Sequence, residues 1–461
     1  METTQTTSQA TSQTASSAAA QSASQPASKP DARKAIFKDA NFRWLIGGGM
    51  LSMLGDQFTL IALPWLVLKM SNDTLILGIV LALISVPRAL FILIGGAVVD
   101  RYSPKTVMML TKYINTALLG ILSLLLFIGH LELWMVYVLA LGLGISTAFS
   151  IPSGTSMLPR VVPGAQLQSA NGIMLGLRQF TMFIGPVLAG LLIALFGTQN
   201  AASQGTVSDA HGLAAAFLFD CFSYAFSAWT LSKVTMNTSV SANQPGQQAG
   251  SGTLELLQSV LAGLRYCWNE KQLRSCFIYW AAIAFFIMGP IQIALPVMAN
   301  QLSNSASALG LLAGAHGAGT LLGMALSGIR PGLRFGNLGR TILLIDFIVG
   351  LLFIPMGLIN ASWQGAGILL AVGTLGGFLH VAVFTWIQRQ VPPQMIGRAM
   401  SMFMFIFTGI GPVSAAFTGW LMRSVTIPQL FMSSGILLVA IVLLALLLSP
   451  MAEVSDRSAS V

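Results

Sequence analysis

Long apolar runs, separated by short clusters of charge, proline or glycine, follow one another along nearly the whole chain. Six fall at about residues 44–68, 75–98, 106–128, 133–151, 171–196 and 212–231, and after a polar gap six more fall at about 277–299, 309–329, 341–359, 365–386, 399–421 and 429–449. A helix that crosses roughly 30 Å of hydrocarbon needs about 20 mostly apolar residues, and the runs meet or approach that length. The pattern predicts an all-α membrane protein of twelve transmembrane helices.

Composition supports this reading. Of 461 residues, 55% are hydrophobic and only 8% charged, and the mean hydropathy is +0.77. A water-soluble domain with so few charges has no solvated surface. Residues 1–40 open on a stretch of Ser, Thr, Gln and Ala with no basic start and apolar core, which predicts a disordered cytoplasmic tail and not a cleaved signal peptide. The remaining predicted units are an N-terminal six-helix bundle at 41–232, a cytoplasmic linker at 233–273, a C-terminal bundle at 274–449 and a tail at 450–461. Within the linker, Leu257, Leu261, Leu264 and Trp268 recur at helical spacing, as expected for a helix lying on the membrane surface or for an ordinary linker helix.

Charge changes the picture by adding sidedness. A net charge of +9 would point to nucleic acid if the basic residues formed one patch, but they are scattered singly and in small groups between apolar runs. Counted loop by loop, 19 of the 23 Lys and Arg fall on one side, including Arg101, Lys105 and Lys112 around the second-to-third loop; Lys69 and Arg423 fall on the other, and Arg88 and Arg178 lie inside runs. Positive residues stay on the cytoplasmic side. The expectation is a multi-pass protein of a bacterial inner membrane with both termini in the cytoplasm. Cys221, Cys267 and Cys276 show no metal-ligand spacing, so no disulfide, metal or cofactor is predicted.

The two sets of runs are related. With an offset of 232 residues, IALPWLVLKMSNDTLILG at 61–78 overlays IALPVMANQLSNSASALG at 293–310 without gaps, matching Pro64 to Pro296 and Gly78 to Gly310. LPRVVP at 158–163 similarly matches IQRQVP at 387–392, and IGP at 184–186 matches IGP at 410–412. Two pseudo-symmetric six-helix bundles in the same orientation can enclose a midplane cavity that opens to either side by rocking, which is the architecture of a transporter.

Charges inside the runs are the candidate chemistry, because a central Asp or Arg costs about 2.5–3.5 kcal/mol on insertion scales and so faces protein or water. Asp56 and Arg88 lie at similar depth in consecutive spans and are expected to pair. Asp220 and Arg178, in the sixth and fifth spans, could pair likewise. Each pair is compatible with a role in proton coupling and the substrate cavity or with helix packing alone. Asp346 and His380 lie nearer the span ends, and His316 reads as core.

GAVVDRYSPK at 96–105, with Gly96, Asp100, Arg101 and Lys105, resembles the signature gating loop of the major facilitator superfamily, though Ser103 and Pro104 stand where the family has Gly and Arg. Gly176, Gly185, Pro186 and Gly190 resemble the antiporter motif of its proton-coupled exporters, with Ala189 in place of the usual Gly. Together with LGDQFTLIALPWLVL, VPRALFILIGGAVVDR, LPRVVPGAQLQSANG and FLFDCFSYAFSAW, these segments resemble the drug:proton antiporter branch that includes macrolide and siderophore exporters, over roughly residues 40–450. The resemblance implies the major facilitator fold, efflux of an amphipathic small molecule, proton exchange and family-like roles for Asp56, Arg88 and Asp220. The Arg that many such exporters carry in the fourth span is absent. Expected partners are a small-molecule substrate, protons and the lipid bilayer, with no nucleic acid, and the chain is expected to act as a monomer. Uptake, lysophospholipid flipping, and a non-transporting receptor or enzyme remain open alternatives; no HExxH or GxxxxGK motif supports an enzyme.

Overall fold

A computed structural model describes residues 36–197, 209–236, 268–303, 305–391 and 396–454. The N-terminal tail through residue 35 and the amphipathic linker segment 254–267 lie outside the described residues. The described chain is helical, because in lipid each backbone N–H and C=O must be satisfied within its own segment. The long helices are α1 (Ala40–Ser71), α2 (Thr74–Arg101), α3 (Pro104–Phe127), α4 (Leu133–Val161), α5 (Leu167–Phe196) and α6 (Ala210–Lys233), then α7 (Lys271–Ser303), α8 (Ala306–Ile329), α9 (Leu338–Met356), α10 (Ser362–Gln390), α11 (Ile396–Leu421) and α12 (Ile427–Leu448). Eleven of them, all but α11, are long and apolar enough among the described residues to cross a membrane. The chain is a multi-pass membrane protein of two six-helix bundles.

Local chemistry sets the helix ends. The Asp39 carboxylate accepts from the Asn41 N–H at the start of α1, and Asn72 ends that helix in the left-handed region at φ 50°. Ser305, Asn337 and Thr426 cap α8, α9 and α12 in the same way. The helix ends differ from the hydropathy reading by a few residues in most places and by more in two. α4 continues ten residues past 151, through Pro152 and Pro159. Hydroxyls add bonds to backbone carbonyls along this stretch, as Ser153 does with Phe149 at 2.7 Å. α7 starts at Lys271 and contains a π turn at Pro290–Ala294, where the Ser414 hydroxyl accepts from the Gly289 N–H and donates to the Phe285 carbonyl.

Odd-numbered helices start, and even-numbered ones end, at what we call the near face; the opposite end is the far face. Lys105 ties the start of α3 to the end of α6 at the near face, donating to the carbonyls of Ser232 and Val234 at 3.1 and 2.6 Å. Between the bundles, close approach belongs to the far half. A methyl on Gly310 of α8 would fall 2.5 Å from the Pro186 carbonyl and 3.0 Å from Gly190 Cα of α5, so only glycine fits. Gly78 of α2, the repeat equivalent of Gly310, approaches α11 less closely, a methyl there lying 3.1 Å from the Ala415 carbonyl and 3.2 Å from Ala416 Cα. Among the described residues the far face carries three polar ties across the bundles: Lys69 to the Asn300 side chain at 2.8 Å, the Thr74 hydroxyl to the Gly419 carbonyl at 2.9 Å, and an ion pair between Arg423 and Asp73.

That ion pair predicts a pH response. The Arg423 guanidinium holds the Asp73 carboxyl below its ordinary value of 3.8. A depressed carboxylate supports closure above the ordinary range and loses that support as pH falls through the lowered value. Far-face closure is therefore expected to be indifferent to pH between 5 and 8 as far as this pair is concerned. Asp73→Asn should open the far face by no more than about fivefold, since exposed pairs are weak, and the swap Asp73→Arg with Arg423→Asp should restore it. Spin-label distances across the far face would measure this, and a large opening of wild type near pH 6 would exclude Asp73 as the controlling group.

Candidate functional site

Helical spacing of three and four residues puts Ser52, Asp56 and Thr59 on one face of α1, Asp220, Ser223 and Tyr224 on one face of α6, and Lys112 and Asn115 on one face of α3. These faces converge in the N-terminal bundle. Gly55 makes the approach possible: a methyl there would lie 2.2 Å from both Asp220 Oδ1 and Ser223 Oγ. The Tyr224 hydroxyl donates to Asp56 Oδ1 at 2.6 Å, the Thr59 hydroxyl to Asp220 Oδ2 at 2.5 Å, and the Ser223 hydroxyl to Asp220 Oδ1 at 3.0 Å. Lys112 Nζ donates to Ser52 Oγ at 2.8 Å and stands 4.7 Å from the centre of the Tyr224 ring. It also lies within electrostatic reach of both carboxylates.

The two acids differ in access. Asp220 is 1% exposed and sealed by its hydroxyl partners, whereas the Asp56 side chain is exposed to the space between helices. A carboxyl reachable from a cavity but bonded to a buried network is placed to exchange protons between them. The network carries its own cation, Lys112, which is 4% exposed.

The expected pairs are not formed among the described residues. Asp56 bonds Tyr224 and not Arg88, whose buried Nε has no hydrogen-bond partner. The reason is packing: α1 lies chiefly against α6 and α5, while α2 lies against α4 and α11, so α1 and α2 are not close neighbours. Asp220 likewise takes hydroxyls instead of Arg178. Lys112 is a second correction. Its place beside Arg101 and Lys105 in the sequence predicts the near-face loop, yet α3 begins at Pro104 and places it two turns inside the bundle.

Arg178 shares its stripe of α5 with Gly185, seven residues on, which packs against Gln57 of α1. Two turns closer to the near face, the helices diverge and the Arg178 side chain is exposed. It stands within electrostatic reach of Asp56 and Arg88 in its own bundle and of His380 in the other. His380 stacks on Phe384 and tilts against Phe403, with ring centroids 6.3 and 5.9 Å apart. Arg88, Arg178 and Asp56 thus lie within electrostatic reach of one another, and Arg178 links them to His380 of the other bundle.

Of the antiporter-like residues, Gly185 meets α1, and Pro186 and Gly190 meet α8, while Gly176 has open space around it. Gly96, Asp100 and Arg101 occupy the end of α2, and their side chains lie outside the described ones. Asp346 is buried and accepts from the Tyr279 hydroxyl at 2.8 Å, a phenol partner that hydropathy gives no sign of.

Comparison with known proteins agrees with this architecture. The family model described as Major Facilitator Superfamily matches residues 45–416. Macrolide efflux protein A of Streptococcus pyogenes is 22% identical over 409 residues, covering 87% of this chain and 94% of the relative. Enterobactin exporter EntS of Salmonella typhimurium is 24% identical over 414 residues, covering 88% and 91%. Among solved structures, a D-xylose-proton symporter superposes with TM-score 0.66 at 12% identity, covering 92% of this chain and 100% of its own. A bacterial homologue of the iron transporter ferroportin in an inward-facing state gives 0.63 at 15% identity, covering 87% and 98%. At these identities the structures speak for the fold alone.

Proposed function

The chain belongs to the major facilitator superfamily and is a transporter, not an enzyme, and from that premise we propose that it exports an amphipathic small molecule from the cytoplasm in exchange for protons. The observation that carries the proposal is Asp56: an exposed carboxyl in the membrane interior that accepts from Tyr224, with Lys112 against the Tyr224 ring and Asp220 sealed by its own hydroxyl partners alongside. Efflux of a macrolide or siderophore-like compound is supported by the names of both exporter relatives.

The cycle follows from the packing. The far-face contacts close one end, and the positive residues place the near face and both termini in the cytoplasm. Cargo enters from that side and meets Arg88, whose Nε has no acceptor among the described residues, Arg178, and the aromatic groups around His380. Rocking of the bundles separates α5 from α8 and α2 from α11, opens the far face and exposes Asp56 to the opposite solution. A proton taken up there and released on return ties cargo movement to the proton gradient. Arg101 and Lys105 at the end of α2 and start of α3 act on the near-face gate in this scheme.

The test is proton release from acid-loaded everted membrane vesicles on adding macrolides, dyes and siderophores in turn. Compound-dependent release is expected from wild type and is expected to be lost in Asp56→Asn at matched expression. Equal release in the variant would remove Asp56 from the mechanism.

A further inference from the structure

The cleft between α1 and α6 at the near face has no part in the transport scheme. It is lined by Arg43, Trp44, Gly47, Phe226 and Thr230 and has a volume of about 270 Å³. That is below the roughly 300–1,000 Å³ of sites for drug-sized ligands, but ample for a single phosphate-bearing head group. The two helix ends are held together here by Asn41, whose side chain accepts from the Thr235 N–H at 2.9 Å. Gly47 forms the floor, and a methyl placed on it would meet nothing within 4 Å.

Three features favour one occupant. Arg43 is exposed at the mouth, among the described residues its side chain has no acceptor, and Lys38 and Lys233 are exposed at the same helix ends. Trp44 and Trp229, 38% and 51% exposed, cross edge to face at 5.5 Å, as tryptophans do at the level of lipid head groups. From that pair an apolar row runs toward the membrane centre along α6: Trp229 against Phe226 at 5.5 Å, then Phe226 against Phe222 at 6.2 Å. A cation at the interface with an aromatic track leading into the hydrocarbon matches a molecule with an anionic head and an apolar tail.

We propose that this cleft binds an anionic phospholipid, with Arg43 taking the phosphodiester and the Phe222–Phe226–Trp229 row taking an acyl chain. The site is independent of the cargo path, on the outer flank of the helix that carries Asp56. Filling it would brace α1 against α6 below the Asp56–Tyr224 contact.

Native mass spectrometry of the purified full-length chain, offered equal amounts of phosphatidylglycerol and phosphatidylcholine, tests this. Wild type is expected to retain one phosphatidylglycerol in preference to phosphatidylcholine. Gly47→Leu, which fills the cleft without a clash, and Arg43→Gln, which removes a charge-assisted bond, should each weaken that retention about tenfold. Arg43→Lys should retain most of it. Both filling and charge variants should melt with wild type, so loss of binding is not loss of fold. Unchanged retention in Gly47→Leu and Arg43→Gln, or equal retention of the two lipids, would overturn the proposal. So would displacement of the lipid by millimolar inorganic phosphate, which would make a free anion the ligand.

Discussion

Lys112→Met is expected to cost the folded protein about 3–5 kcal/mol, the usual penalty for leaving buried charges without their partner. Lys112 is the cation buried with Asp220 and within electrostatic reach of Asp56, and its ammonium is held by Ser52 and the Tyr224 ring. Methionine matches its length and apolar stem but leaves two carboxyls facing a network of hydroxyls. The measurement is thermal unfolding in detergent, followed as the fraction that still elutes as a monodisperse species. Adding Asp220→Asn should recover most of the loss, because the double variant removes charge from both sides. A Lys112→Met protein that melts with wild type would show that the network holds no net charge to compensate. The proton reading of Asp56 would then lose its counter-ion.

Gly310→Leu is expected to trap the protein with its far face open. Gly310 and Gly190 belong to different bundles, so a side chain between them does not disturb the packing within either one. It wedges α8 from α5, and overpacking of this kind costs roughly 1–3 kcal/mol. Applied to the far-closed state alone, that shifts the population about 5- to 150-fold. Spin labels at Asn72→Cys and Ser424→Cys, both exposed on the far face, should move apart, and transport should fall without loss of folded protein. An unchanged distance would mean that the Gly190–Gly310 approach does not control closure. The same substitution at Gly176, which has open space around it, should be silent.

Most of the fold was legible because lipid enforces it: run length gave the helices, and the Pro64/Pro296 and Gly78/Gly310 matches gave the two bundles. The site was legible only in part. Asp56, Arg88 and Arg178 stood out as charges inside apolar runs, and the structure brings all three within electrostatic reach of one another. Their partners did not stand out, since hydropathy reports depth and says nothing of which helix lies beside which. Tyr224, Thr59 and Ser52 are ordinary residues until α6 and α3 are seen against α1. Lys112 was hidden by its sequence neighbours Arg101 and Lys105, which do lie at the near face; one clue was Pro104, a first-turn residue that starts the helix early enough to bury a lysine eight positions on.

The π turn of α7 bears on the repeat itself. α1 has 32 residues and α7 has 33, and the two helices end in register, Ser71 on Ser303, yet begin one residue out of register, Ala40 on Lys271. A π turn absorbs one extra residue within a helix, so the inserted residue of the second half sits at Pro290–Ala294. Beyond it, every side chain of α7 is rotated by about 100° from where an uninterrupted helix would carry it. Asn300, which meets Lys69, is among them. The extra residue is thus contained at the π turn and the far ends of the two halves stay in phase; straightening that turn without shortening the helix, and not removing its extra residue, would turn Asn300 away from Lys69.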